Sequence, residues 1–230
     1  MTSSQIEESV NAFVQRIDKT QMIMIPGGFS SGDEPDGSAK FIVSFFRNPK
    51  ISAAVNEFLQ IRKGLMLGIC NGFQALIKLG LVPYGEIREM NEDSPTLTFN
   101  TIGRHQSMMV NTRISSTLSP WLYNVNAGDI FTIPVSHGEG RFICKPELFD
   151  ILAANGQIAT QYVDLAGQPT YDVAYNPNES YMAVEGITSP DGRIFGKMCH
   201  SERTGEFISK NVPGEKDQML FRSGVEYFTK

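Results

Sequence analysis

The stretch GLMLGICNGFQALIKLG, residues 64 to 80, constrains the fold more than any other part of the chain. Leu65 to Ile69 form an apolar run of strand length, and Phe73, Leu76 and Ile77 then recur at helical spacing, with no residues left over for a connecting loop. The corner is Cys70, with Gly68 and Gly72 two residues to either side. A strand that turns into a helix within one residue needs small neighbours, because the backbone at the corner is forced out of the ordinary strand and helix conformations. The G-x-C-x-G spacing therefore predicts a nucleophile elbow, in which a reactive side chain projects from the end of a sheet toward the start of a helix. Free N–H groups and the positive end of the helix dipole at that point favour a thiolate at Cys70. The plainer reading of Cys70 is a buried structural cysteine, since free cysteine is among the most buried residue types.

Other segments extend the same architecture. Ser4 and Glu7 have the spacing of a capping box, and Ile6, Val10, Phe13, Val14 and Ile17 recur at helical intervals. Met22 to Ile25 read as a short buried strand halted by Pro26, Gly27 and Gly28, and GFSSGDEPDGS reads as the loop after it. Helical patterns follow in AKFIVSFF and SAAVNEFLQIRK, ahead of the strand at Leu65. Short apolar strands separated by amphipathic helices predict an α/β fold with a largely parallel sheet covered on both faces. Later segments, TLTFNTIG, QSMMVNTRI and GDIFTIPVSH, look extended, while PELFDILAANG and QMLFRSGVEYFTK look helical. YMAVEGITSPDGRIFGKMCH reads as two strands joined at Asp191-Gly192. With no internal repeat or linker in 230 residues, one domain is expected over 1–230.

Composition excludes several classes. A net charge of -5 without a Lys/Arg cluster argues against nucleic-acid binding. The polar opening MTSSQIEESV has no signal-peptide layout, and no run approaches the roughly 20 apolar residues of a membrane span. A cytoplasmic protein with no membrane partner is expected. Cys70, Cys144 and Cys199 are an odd set without a C-x-x-C pair, which predicts free thiols and neither a disulfide framework nor a metal site. Gly32 to Gly37 imitate a phosphate loop, but Ser38 and Ala39 stand where Lys and Ser/Thr are needed, and Asp33, Glu34 and Asp36 repel phosphate. Asn178-Glu179-Ser180 has the form of a glycosylation sequon, and Met108 and Met109 read as core filler.

A cysteine nucleophile needs a base that later protonates the leaving group, and histidine suits that task near neutral pH. His137-Gly-Glu139 and His200-Ser-Glu202 each set a carboxylate two residues after an imidazole, on one side of an extended segment. Spacing does not choose between them. His105 has no acid nearby and reads as structural.

Taken together, these residues resemble the class I glutamine amidotransferases, which carry a Cys-His-Glu triad, and within them the glutaminase branch of phosphoribosylformylglycinamidine synthases. IPGGFSSGD resembles the oxyanion-loop segment, GICNGFQ the nucleophile elbow, IPVSHGEGRF a further characteristic segment, and NPNES with GRIFGKMCHSER the histidine-glutamate segment; the matches run in family order from about residue 22 to 203. The resemblance implies a flavodoxin-like class I amidotransferase sheet, and catalytic roles for Cys70, His200 and Glu202. It implies oxyanion-hole N–H groups at Gly28 and Asn71, and substrate glutamine contacts at Gln74, Ser136, Gly138 and Glu139. It further implies that ammonia passes to a synthetase module, of the same or another chain, that uses ATP and magnesium, this chain having no cofactor of its own. Departures from the family pattern are Cys199 and Ser201, in place of two prolines around His200, and the absence of the first β-α-β segment, which suggests the C-terminal part of a larger synthase. A stand-alone cysteine hydrolase or peptidase of the same fold, and a non-catalytic interaction domain, are the alternatives.

Overall fold

The computed structural model describes residues 2–28 and 38–229, so the phosphate-loop imitation at 32–37 lies outside the described residues. The first half of the chain alternates helix and strand: α1 (Ser3–Ile17), β1 (Met22–Ile25), α2 (Lys40–Phe46), α3 (Pro49–Asn56), β2 (Leu65–Ile69), α4 (Asn71–Lys78) and α5 (Leu81–Tyr84). The second half is richer in strands: β3 (Thr96–Phe99), β4 (Gln106–Ile114), β5 (Ile130–His137), β6 (Glu139–Ile143), α6 (Pro146–Ala154), β7 (Ile158–Val163), β8 (Val184–Thr188), β9 (Ile194–Lys197) and α7 (Leu220–Thr229).

Seven strands form the main sheet in the order β1-β2-β9-β8-β7-β4-β5, and β3 pairs with β6 in a separate ribbon. Only β1, β2 and β9 run parallel to one another; every other neighbouring pair is antiparallel. The parallel part is therefore narrower than the alternating pattern of the first half suggests. Met22 and Ile25 have opposite parity along β1, and they meet Gly224 of α7 and Gly72 of α4 respectively, which sets these two helices on opposite faces of the sheet. Beneath α7, Trp121 is buried and donates its indole N–H to the Met66 carbonyl at 3.1 Å.

Several elements differ in detail from the sequence reading. The capping box is formed by Thr2 and Gln5, two residues earlier than Ser4 and Glu7, with the Gln5 side chain accepting from the Thr2 N–H at 2.9 Å. Helix α3 does not run regularly to Lys63; its last turn widens, with the Arg62 N–H reaching back to Glu57 at 3.1 Å. Strands β6 and β7 are additions. The first hides inside a glycine-rich stretch, and the second, IATQYV, is buried at five of its six positions, so its two-residue alternation is weak. The Asp191-Gly192 turn stands as expected between β8 and β9, with Gly192 at φ 74°.

Candidate functional site

The corner at Cys70 owes its shape to the glycines around it. Cys70 adopts φ 53° and ψ -105°, which a non-glycine residue holds only when its surroundings enforce it. A Cβ on Gly72 would stand 1.9 Å from the Ile25 carbonyl oxygen, and one on Gly68 would stand 2.7 Å from the Gly72 backbone. Strand β1 and the first turn of α4 can approach so closely only with hydrogen at these positions. The Cys70 N–H donates to the Lys197 carbonyl at 2.8 Å, which ties the corner to the end of β9.

His200 follows β9 by three residues, and the two parallel strands β2 and β9 therefore deliver Cys70 and His200 to the same end of the sheet. A Cβ placed on Gly27 would lie 2.5 Å from His200 Cε1 and 3.1 Å from Cys70 Cβ, so the imidazole and the thiol flank one point of the Gly27 backbone. Both side chains are buried. Nδ1 of His200 donates to Glu202 Oε1 at 2.6 Å, leaving Nε2 buried and without a hydrogen bond among the described residues. Burial alone would raise the pKa of Glu202. The hydrogen bond from His200, a backbone N–H and the charges of His200 and Lys197 outweigh it and hold the carboxyl below its usual range.

Glu139 does not play the corresponding part for His137. The two residues lie on successive strands, β5 and β6, with Gly138 between them, and the Glu139 carboxylate accepts instead from the N–H of Ser38 at 3.1 Å and from its hydroxyl. His137 turns its Nδ1 to Asn100 Oδ1 at 3.2 Å, while the Asn100 amide donates to the His137 carbonyl at 2.9 Å. Burial, reinforced by the nearby His105 and His200, lowers the His137 pKa to about 4, so its ring is neutral at physiological pH. Of the two His-x-Glu pairs that sequence spacing leaves open, the His200–Glu202 pair joins its carboxylate to its own imidazole and the His137–Glu139 pair does not.

The remaining candidates surround the thiol. Backbone N–H groups of Asn71 and Gly28 point at the Cys70 sulfur and favour its anion, Gly28 holding φ 134°, which suits glycine. The Cys70 thiol contacts the Ser136 carbonyl at 3.5 Å. The Gln74 side chain donates to the Glu139 carbonyl, and the Gly138 carbonyl accepts from the Asn100 N–H at 2.9 Å, so α4 and the β5-β6 turn form one wall.

One expectation is overturned. The thiol is not held ionised at rest: burial pushes its pKa up to about 11, overriding the Asn71 and Gly28 N–H groups and the Arg203 guanidinium. A helix terminus, two donors and the Arg203 guanidinium do not offset the removal of a thiolate from water.

Several contributors escaped the sequence reading. Ser38 and Asn100 are buried partners of Glu139 and His137, and Lys197 and Glu185 form a fully buried ion pair at 3.3 Å below His200. Charged residues inside the apolar strands VEGIT and IFGK were the available signal for the last two. His105, read as structural, lies with Nε2 3.0 Å from the Ser136 hydroxyl at the rim of this region. Asn178 and Ser180 of the sequon are fully buried, the Asn178 side chain donating to the Gly140 carbonyl and the Ser180 hydroxyl meeting the Phe142 N–H at 3.1 Å, so in the folded chain they staple β6 and offer no glycosylation site. Among the described residues no three His, Cys, Asp or Glu side chains gather in a way that could hold a metal ion.

The sequence profile of the CobB/CobQ-like glutamine amidotransferase domain matches residues 2–228. Phosphoribosylformylglycinamidine synthase subunit PurQ of Methanococcus maripaludis is 32% identical over 230 residues, covering 91% of this chain and 81% of the relative. The same subunit of Synechococcus elongatus is 37% identical over 193 residues, covering 84% and 75% respectively. Among solved structures, PurLQS from Thermotoga maritima superposes with a TM-score of 0.68 at 26% identity, over 92% of this chain and 81% of that one.

Proposed function

Because the chain belongs to the CobB/CobQ-like glutamine amidotransferase family, we propose that it hydrolyses glutamine to glutamate and ammonia, and that the ammonia serves a phosphoribosylformylglycinamidine synthase in purine biosynthesis. The observation that carries the reading is the shared position of Cys70 and His200 at the Gly27 backbone, with Glu202 bonded to the far side of the imidazole. PurQ relatives that span most of the chain support the purine branch.

Chemistry follows from the resting protonation states. With the thiol pKa pushed up to about 11, Cys70 rests protonated, so its proton must leave as the sulfur attacks. His200, its Nδ1–H fixed by Glu202, offers Nε2 as the acceptor for that proton. The sulfur adds to the side-chain amide carbon of glutamine, and the N–H groups of Gly28 and Asn71 that face the sulfur in the free enzyme are placed for the oxygen that becomes negative. Such donors are worth roughly 3 to 4 kcal/mol each in comparable acyl-transfer sites. The imidazolium then protonates the departing ammonia, leaving a glutamyl thioester. Water, deprotonated by His200, attacks that thioester and releases glutamate. Gln74, Ser136, Gly138 and Glu139 form the wall against which the substrate lies. Glu139, held by Ser38, supplies a carboxylate beside the substrate region.

In this reading the partner synthetase holds ATP and magnesium, and the reaction takes place in the cytoplasm, in keeping with three unpaired cysteines. No helix among the described residues is long and apolar enough to cross a membrane. The test is release of ammonia from glutamine by the chain assembled with its synthetase, in the presence of ATP and magnesium. Turnover in the wild type and none in Cys70→Ala is the expected result; cleavage of peptides without any use of glutamine would replace this function with that of a hydrolase.

A further inference from the structure

Lys197 closes β9, three residues before the imidazole proposed as base, and is fully buried together with Glu185 of the neighbouring β8. Its ammonium has three donors and three acceptors: Glu185 Oε1 at 3.3 Å, the Cys199 carbonyl at 3.0 Å and the Ser201 hydroxyl oxygen at 2.8 Å. Glu185 in turn accepts from the Cys199 N–H at 2.6 Å and from the Thr160 hydroxyl on β7. The Ser201 hydroxyl donates onward to Gln218 at 2.6 Å, whose amide reaches Thr112 of β4 at 3.4 Å. The residues on both sides of His200 are thus gripped by side chains rooted in four strands and in the segment before α7. His200 itself adds a backbone bond to Pro134 of β5 at 2.9 Å.

A buried ion pair is a poor device for stability. Taking two charges out of water costs about as much as their attraction returns, and replacing both with neutral groups often leaves stability unchanged. What a fully satisfied pair does provide is one fixed arrangement, because any shift of the gripped backbone leaves a charge without its partner. Here the gripped backbone is Cys199 and Ser201, which bracket the imidazole.

We propose that the Lys197–Glu185 pair is the positioning element of the glutaminase site, holding the His200 ring in register with Cys70. It acts through His200 and touches neither substrate nor sulfur. The charge of Lys197 also helps to keep Glu202 ionised, a second route to the same imidazole. The inference rests on the glutaminase reading above.

The test uses the chain assembled with its synthetase, comparing wild type, the double variant Lys197→Met/Glu185→Gln, and Ser201→Ala, which removes only the hydroxyl link. Glutamine-dependent and ammonia-dependent product formation are measured side by side, with thermal unfolding of each variant. For the folded double variant, kcat with glutamine is expected to fall at least about tenfold, with KM for glutamine and the ammonia-driven rate staying within about twofold of wild type. Ser201→Ala is expected to lose a smaller part of kcat in the same pattern. A folded double variant with wild-type kcat, or one whose loss lies wholly in KM, would overturn the proposal. Should the double variant fail to fold, Ser201→Ala decides, and a wild-type kcat there is equally fatal. A wild-type assembly that makes product from ammonia and never from glutamine would remove the glutaminase reading itself, and the proposal with it.

Discussion

At the scale of single residues, the central fact is an opposition between burial and hydrogen bonding at one sulfur. Two N–H groups favour the Cys70 anion, and burial disfavours it more. Alkylation of Cys70 by iodoacetamide, followed by mass spectrometry of the labelled peptide, is accordingly expected to accelerate continuously as pH rises, with no plateau below about pH 9. A plateau near neutrality would mean that the free enzyme carries a thiolate. The partner residues divide by role. His200→Ala removes the imidazole seated beside Cys70 at Gly27 and is expected to abolish glutamine-dependent ammonia release. Glu202→Gln keeps the shape and alters what the ring can donate to, an exchange expected to lower kcat by about 10² to 10⁴. His137→Ala is expected to retain turnover, because the His137 ring serves Asn100 and not the thiol; equal loss in His137→Ala and His200→Ala would refute the division.

At the scale of elements, the nucleophile corner is a contact between β1, β2 and α4 that tolerates no side-chain atoms. Gly72→Ala would drive a Cβ into the Ile25 carbonyl, a backbone atom that cannot swing aside. The expected cost is at least about 1 to 3 kcal/mol, the usual range for overpacking, with α4 displaced and activity lost even where the chain still folds. Gly138→Ala supplies the contrast: among the described residues beyond its two chain neighbours no atom lies within 4 Å of its added Cβ, so its thermal midpoint is expected to stay near wild type. Equal midpoints for the two variants would contradict the packing described. The same comparison shows how much of these elements was readable in advance. G-x-C-x-G announced the corner through spacing alone. Strand β7 carried no such sign, because a strand buried on both faces loses the two-residue rhythm that marks a half-exposed one.

At the scale of the whole molecule, stability is linked to pH through a buried histidine. His137 titrates near 4 in the folded chain and near 6.5 when unfolded. Between those values the unfolded chain binds the extra proton, so the contribution is fully present above pH 6.5 and is lost as pH falls toward 4. The amount is on the order of 3 kcal/mol for a shift of this size. Urea unfolding at pH 7 and pH 5 is expected to show a smaller loss for His137→Gln than for wild type, and an identical pH dependence in the two proteins would exclude this linkage.

Local chemistry, and therefore the sequence alone, determined the strand-corner-helix at Cys70, the turn at Asp191-Gly192, most helices, and the pool of two His-x-Glu pairs from which a base could come. These depend on neighbours within a few positions, where chain connectivity enforces proximity. Tertiary structure decided which carboxylate meets an imidazole, by seating that of Glu139 on Ser38 and that of Glu202 on His200. It also set the protonation state of the sulfur and joined Lys197 to Glu185 beneath the imidazole. Burial and cross-strand partnership are properties of assembled strands, so no spacing along the chain could carry them.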